Sequence, residues 1–157
     1  MNQIIQPTPV RKTTHVKAPP ARAFDVFTAG INTWWLKTHS INPTKSPIKE
    51  IVLEPYAGGQ WMERGEDGST CQWGKVLVWE PPTRLVLAWQ IDAQHRFIPE
   101  LVTEVEVRFT AEGDGTRVEL EHRHLERLGE DGETLRKMVD SPNGWGRLLE
   151  NFKENVV

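Results

Sequence analysis

Two histidines stand two positions apart near the end of a predicted strand, and they are the first candidates for chemistry. Side chains at such positions of a strand point to the same side, so the imidazoles of His122 and His124 would lie about 6.5–7 Å apart. The pair could share a metal ion, but zinc usually takes three or four ligands. The other histidines and the single cysteine lie at no ligand spacing: His15, His39, His95 and Cys71. We therefore predict no metal site and no cofactor.

His122 has two possible roles, and the sequence leaves both open. Strand alternation places it with Val118 and Leu120 on an apolar face. Its imidazole is then either a hydrogen-bonding group for a bound molecule or a core histidine satisfied by protein partners. We expect His122 and His124 to contact a ligand.

Glu63 is a candidate for acid or base chemistry. Trp61 and Glu63 share one face of a predicted strand. If that face is internal, Glu63 lies in a low-dielectric pocket, where burial favours the neutral acid and proton transfer becomes possible. The alternative is an outward, hydrated side chain. An enzyme would pair Glu63 with His122, because no Ser-His-Asp or Cys-His arrangement shows a nucleophile elbow or similar signature.

Tryptophan is unusually abundant, with seven residues against one tyrosine and five phenylalanines. Indole rings supply large flat apolar surfaces, which either fill a core or line a pocket. We predict a pocket, with Phe97 as a possible lid. The predicted ligand-binding residues are Trp35, Trp61, Trp73, Trp89, Phe97, Phe109, His122, His124, Trp145 and Leu149.

The elements that must position these residues follow from turn signals and hydrophobic periodicity. Segments bounded by Gly, Pro and Asp turns predict strands over 10–16, 48–54, 59–64, 70–80, 84–91 and 101–111, and then a seventh strand that carries His122. Helical spacing predicts helices over 20–28, 31–36 and 130–139, before a final helix. The strand over 70–80 is apolar on both faces, which predicts burial on both sides or a bulge.

The final helix carries one apolar stripe and a recognisable start. Ser141 can cap it, and Pro142 can occupy its first turn. A helix with one apolar stripe and a sheet with one apolar face must bury them against each other, which predicts a two-layer α+β domain. The stripe consists of Trp145, Leu148, Leu149, Phe152 and Val156.

Composition excludes several classes of partner. The 19 basic and 22 acidic residues give a net charge of −3 and form no positive cluster, so we expect neither nucleic acid nor a membrane as partner. No segment has the roughly 18–20 apolar residues that cross a bilayer. The first residues lack the apolar run of a signal peptide, and the lone cysteine cannot form an internal disulfide. We predict a cytoplasmic location.

Five short segments, in their order along the chain, resemble the family named after the activator of the heat-shock-protein-90 ATPase. This family lies within the START-like, or SRPBCC, superfamily. The segments cover residues 16–27, 73–76, 80–89, 115–122 and 143–145. The resemblance implies a helix-grip fold, in which a curved antiparallel sheet of six or seven strands wraps around a long C-terminal helix and two short helices follow the first strand. It implies one such domain over residues 10–157 after an N-terminal extension of residues 1–9.

The same resemblance implies an apolar cavity between sheet and helix. In the superfamily this cavity holds lipids, sterols, polyketides or plant hormones, and a few members are cyclases or hydrolases. We therefore expect a small hydrophobic ligand of lipid, sterol or aromatic class in a Trp-lined cavity. Two alternatives stay open: an enzyme that uses Glu63 and His122, and a co-chaperone-like interaction module. A homodimer is also possible. Chaperone activation is expected of larger relatives with an additional N-terminal domain.

Overall fold

The computed structural model describes residues 8–38, 40–142 and 144–156. His39, Asn143, Val157 and the first seven residues, which include most of the predicted N-terminal extension, lie outside these ranges. Within them, the strands are β1 (Val10–Val16), β2 (Ile48–Leu53), β3 (Gln60–Gly65), β4 (Thr70–Glu80), β5 (Arg84–Trp89), β6 (Thr103–Glu112) and β7 (Gly115–Arg123). The α-helices are α1 (Pro20–Thr28), α2 (Gly132–Val139) and α3 (Trp145–Asn155), and 3-10 turns span Ile31–Thr33 and Leu125–Asp131.

The strands form one antiparallel sheet in the order β1-β7-β6-β5-β4-β3-β2. The chain runs as a meander from β2 to β7, and β1 pairs with β7 at the far edge. The sheet curls around α3, so the predicted α+β helix-grip fold is confirmed. No helix in the described part of the chain is both long and apolar enough to cross a bilayer.

The predicted bulge in the strand over 70–80 is confirmed, and it curves the sheet. The register between β4 and β5 shifts between Val76 and Val78. On the other side of β4, the register with β3 shifts between Trp61 and Met62. Gly74 lies at this crowded point, where an added Cβ would come 1.7 Å from the carbonyl oxygen of Ala88. Bulges bend a strand and increase its twist, which brings the ends of the sheet around α3.

The two faces of the curved sheet differ in chemistry. On the convex face, Arg84, Arg108 and Arg123 converge on Glu106, with N···O distances of 2.5, 3.0 and 2.5 Å. On the concave face, the predicted stripe of α3 is buried, as are the inward residues of β5, β6 and β7. A ligand site enclosed by the fold can therefore lie only on the concave side.

Several predicted boundaries differ from the structure by one or two residues, and the predicted helix over 31–36 is only a 3-10 turn at Ile31–Thr33. Two further differences have local reasons. The last helix begins at Trp145, because the Ser141 hydroxyl donates back to the Met138 carbonyl at 2.7 Å and Gly144 takes the N-cap position. The strand over 84–91 ends at Trp89, and Ile91 instead forms an isolated bridge with Phe97. The chain between Ile91 and Phe97 is thereby closed into a tight loop.

Candidate functional site

A cavity of about 650 Å³ opens between the concave face of the sheet, α2 and the start of α3. This volume is in the range of small-molecule sites. The indoles of Trp35, Trp73, Trp89 and Trp145 form its walls. Four aliphatic side chains complete the apolar surface: Ile91, Leu135, Val139 and Leu148.

The indoles of the wall hold one another in place. The Trp35 ring centroid lies 5.4 Å from that of Trp73 and 5.7 Å from that of Trp145. Trp89 and Trp145 pack edge to face at 5.6 Å. Such separations and angles are those that aromatic pairs prefer. The four indoles therefore support one another through direct ring contacts.

His122 is fully buried and is hydrogen-bonded to Trp145, one of the indoles of the wall. The Trp145 indole Nε1–H donates to its Nδ1 at 3.1 Å, so the neutral ring carries its proton on Nε2 and donates to the Thr103 hydroxyl at 2.9 Å. Thr103 in turn donates to the Trp89 carbonyl oxygen at 2.9 Å. Burial lowers the pKa of His122 to about 3. Both ring nitrogens are thus engaged by protein groups, as the core-histidine alternative requires, and His122 is not among the residues that line the cavity.

The expectation that His124 shares a face with His122 is wrong. β7 ends at Arg123, and His124 adopts a left-handed conformation with φ 65° that turns the chain out of the strand. Its ring nitrogens lie 3.8 Å from a Glu104 carboxylate oxygen and 3.5 Å from one of Glu126. His124 is therefore placed among charged side chains. In the described ranges, no group of three or more His, Cys, Asp or Glu side chains is positioned to hold a metal ion.

Glu63 points inward and is completely buried, so the outward, hydrated alternative is wrong. Its Oε1 accepts hydrogen bonds from the Ile41 backbone N–H at 2.7 Å and the Trp73 indole at 3.0 Å. Its Oε2 accepts one from the Ser40 hydroxyl at 2.6 Å. Glu63 and His122 lie on β3 and β7, with three strands between them, and each forms hydrogen bonds with other groups. The structure does not bring them together as a pair.

The remaining predicted site residues do not line the cavity. Trp61 lies behind Trp35 and Trp73 with no exposed surface. Phe109 packs against Phe24 and Phe27 beneath α1, with centroids 5.3 and 5.7 Å away. In addition, Leu149 is buried in the core, and Phe97 is partly exposed at its bridge with Ile91.

The loop after β5 supplies polar groups at the cavity. Asp92 Oδ1 accepts the backbone N–H groups of Gln94 and Arg96, each at 2.9 Å, and the Arg96 guanidinium contacts Oδ2. Although burial opposes it, these hydrogen bonds from Arg96 and Gln94 lower the pKa of Asp92. The loop is thereby held in one shape, with Asp92 and His95 both at the cavity.

Sequence reasoning missed one side of the site. Three residues that precede β2 and several residues of α2 line the cavity, but the sequence analysis predicts only a helix over 130–139 and assigns it no role in the site. The available signal was the apolar side of this helix, on which Leu135, Met138 and Val139 recur at helical spacing. The loop residues carry no such pattern: Thr38, Ser40 and Ile41.

Residues 17–156 match the family described as "Activator of Hsp90 ATPase homolog 1-like protein". No curated protein matches the sequence. Among solved structures, an anthrahydroquino-gamma-pyrone synthase is 35% identical, with a TM-score of 0.66 over 97% of this chain and 98% of that one. The self-sacrificing resistance protein CalC from Micromonospora echinospora is 29% identical, with a TM-score of 0.66 over 94% and 93%.

The fold alone is shared with a more distant structure. The Aha1 dimer from Colwellia psychrerythraea is 14% identical, with a TM-score of 0.62 over 95% of this chain and 96% of that one. The predicted homodimer of the present chain stays a prediction.

Proposed function

The chain belongs to the Activator of Hsp90 ATPase homolog 1-like family, and we propose that it binds a flat, fused-ring aromatic molecule in the cavity between the sheet, α2 and α3. The observation that carries the proposal is the wall of four indoles, Trp35, Trp73, Trp89 and Trp145, around about 650 Å³ of space. The sequence leaves three ligand classes open, namely lipid, sterol and aromatic, and the proposal selects the aromatic class.

Rigid indole walls favour a rigid aromatic guest over a flexible chain. Aromatic pairs gain about 0.5–1.5 kcal/mol beyond their burial, and a fused ring loses little conformational entropy on binding. Burial of about 300 Å² of ligand surface contributes roughly 7.5 kcal/mol before association costs. Micromolar affinity is therefore expected.

A relative supports the same class of ligand. The anthrahydroquino-gamma-pyrone synthase, 35% identical over almost the whole chain, is named for a fused polycyclic compound. Its likeness supports a flat polycycle for this cavity. A reaction on that ligand is not part of the proposal, because Glu63 and His122 are each bonded to protein groups and are not among the lining residues.

Equilibrium dialysis with 9,10-anthraquinone tests the proposal. The wild-type protein should bind it with micromolar Kd, and it should bind 1-decanol, a flexible apolar molecule, about tenfold more weakly. Met138→Trp enlarges a side chain of the cavity lining and should weaken anthraquinone binding by at least about tenfold.

Leu53→Trp is the matched control. Leu53 lines a separate hollow of about 420 Å³ beside α1, with Phe24, Trp79 and the 81–82 prolines. This variant adds the same indole and should bind anthraquinone as the wild type does. Equal loss in both variants, or no binding by the wild type, would contradict the proposal.

A further inference from the structure

Ser40 connects the cavity to a buried acid. The Ser40 residue lines the cavity, and its hydroxyl contacts Glu63 Oε2 at 2.6 Å. The Glu63 side chain has no exposed surface, so Ser40 links this buried carboxyl group to a residue position of the cavity wall. Among the described residues of the cavity wall, the Trp73 indole and the Ile41 backbone also bond to Glu63, but through N–H groups that can only donate.

The hydrogen bonds that Ser40 already forms determine which hydrogen-bonding position its hydroxyl can present to a ligand. A hydroxyl has one hydrogen and two acceptor positions. The hydrogen is committed to Glu63, and the Asn42 backbone N–H, at 3.1 Å, takes one acceptor position of Oγ. No other described residue bonds to Ser40 Oγ, so among the described residues one acceptor position remains, and Ser40 can meet a ligand as an acceptor rather than as a donor.

We infer that the ligand of this cavity carries a phenol or enol hydroxyl, which donates its hydrogen to Ser40 Oγ. The inference rests on the proposed function and names the polar group of the aromatic ligand. An O-methylated ligand lacks the hydrogen and leaves the acceptor unpaired in an apolar site, which is the situation that discriminates most strongly between such analogues.

Tryptophan quenching with 2-naphthol and 2-methoxynaphthalene tests the inference. The wild-type protein should prefer 2-naphthol by about tenfold. Ser40→Ala should remove that preference by weakening 2-naphthol binding. Thr38→Val removes a hydroxyl from another residue of the cavity lining and should keep the preference.

The Glu63→Gln variant provides a second, independent test of the inference. The Ile41 and Trp73 donors both need an oxygen at the Oε1 position, so the new amide should place its NH₂ group toward Ser40. That group donates to Ser40 Oγ and frees the serine hydrogen for the ligand. Because both probes can accept a hydrogen bond, the preference for 2-naphthol should fall to within about twofold.

The outcomes separate the two claims. If both probes bind the wild type equally well, the hydroxyl inference is overturned while the aromatic site stands. If neither 2-methoxynaphthalene nor anthraquinone binds, the proposed function itself fails. Should Ser40→Ala not fold, as judged by circular dichroism, the Glu63→Gln variant decides, and an unchanged preference there overturns the inference.

Discussion

His122 shows how its surroundings decide what a reactive residue type does. Its imidazole lies between Trp145 and Thr103, and the chain of hydrogen bonds ends at the Trp89 carbonyl. Two residues of this hydrogen-bond series, Trp89 and Trp145, belong to the cavity wall. His122 therefore acts as a positioning residue for the wall.

Folding stability should depend on pH through His122. Burial lowers its pKa from 6.5 to about 3, and unfolding returns the ring to water. Between these two values the unfolded chain binds more protons, so the free energy of unfolding should fall as the pH falls from about 6.5, by at most about 1.4 kcal/mol per pH unit. Urea unfolding between about pH 7 and 5 measures this slope.

His122→Gln is the control for this slope. Glutamine carries no titrating ring, and its amide can replace Nε2 as a donor to Thr103. The pH slope of the variant should be smaller by about 1 kcal/mol per pH unit, although its stability at neutral pH is lower. Identical slopes in both proteins would show that another group is responsible.

At the scale of elements, the curvature of β4 positions the site. Gly74 lies where β3 and β5 both approach β4, and Trp73 beside it turns its indole into the cavity wall. The strand brings Trp73 to Glu63, and α2 closes the opposite side. A residue without a side chain is required at position 74 because of the Ala88 carbonyl.

The same substitution should have opposite effects at two glycines. Gly74→Ala forces a Cβ to within 1.7 Å of the Ala88 oxygen and should destabilise the fold by about 3 kcal/mol or more. Gly146→Ala, in α3, meets no atom within 4 Å and should stabilise it by about 0.5–1 kcal/mol. Thermal unfolding of both variants measures the difference. A mild effect at Gly74 would contradict the crowded bulge.

Local patterns were sufficient to predict most elements but not their contacts. The strands over 10–16 and 70–80 and the helix over 20–28 have the predicted bounds. Their signals are local, because hydrophobic periodicity and the prolines at the ends of these elements can be read from neighbouring residues. The burial of Glu63 was not predictable in this way, since its partners Ser40 and Ile41 come from a distant loop. The turn of His124 out of the strand depends on a single positive φ, for which the sequence around it shows no glycine.

At the scale of the whole molecule, the seven-stranded sheet and α3 explain why the indoles meet. Trp35, Trp73, Trp89 and Trp145 come from a loop, two strands and a helix, and only closure of the sheet around α3 brings them to one wall. The family resemblance predicted this closure, and the match over residues 17–156 confirms the family. The positions of the cavity-lining side chains required the structure.

The central claim, that an aromatic molecule binds among these four indoles, can be tested with one spectrum. The chain has seven tryptophans, and each contributes one indole Nε1–H signal to a ¹H–¹⁵N correlation spectrum. On addition of 9,10-anthraquinone, the signals of Trp35, Trp73, Trp89 and Trp145 should shift most. Two internal controls should hardly move: Trp34, whose indole is bonded to the Val26 carbonyl, and Trp79, which packs against Phe24. Shifts confined to Trp79, or no shifts at all, would contradict the account.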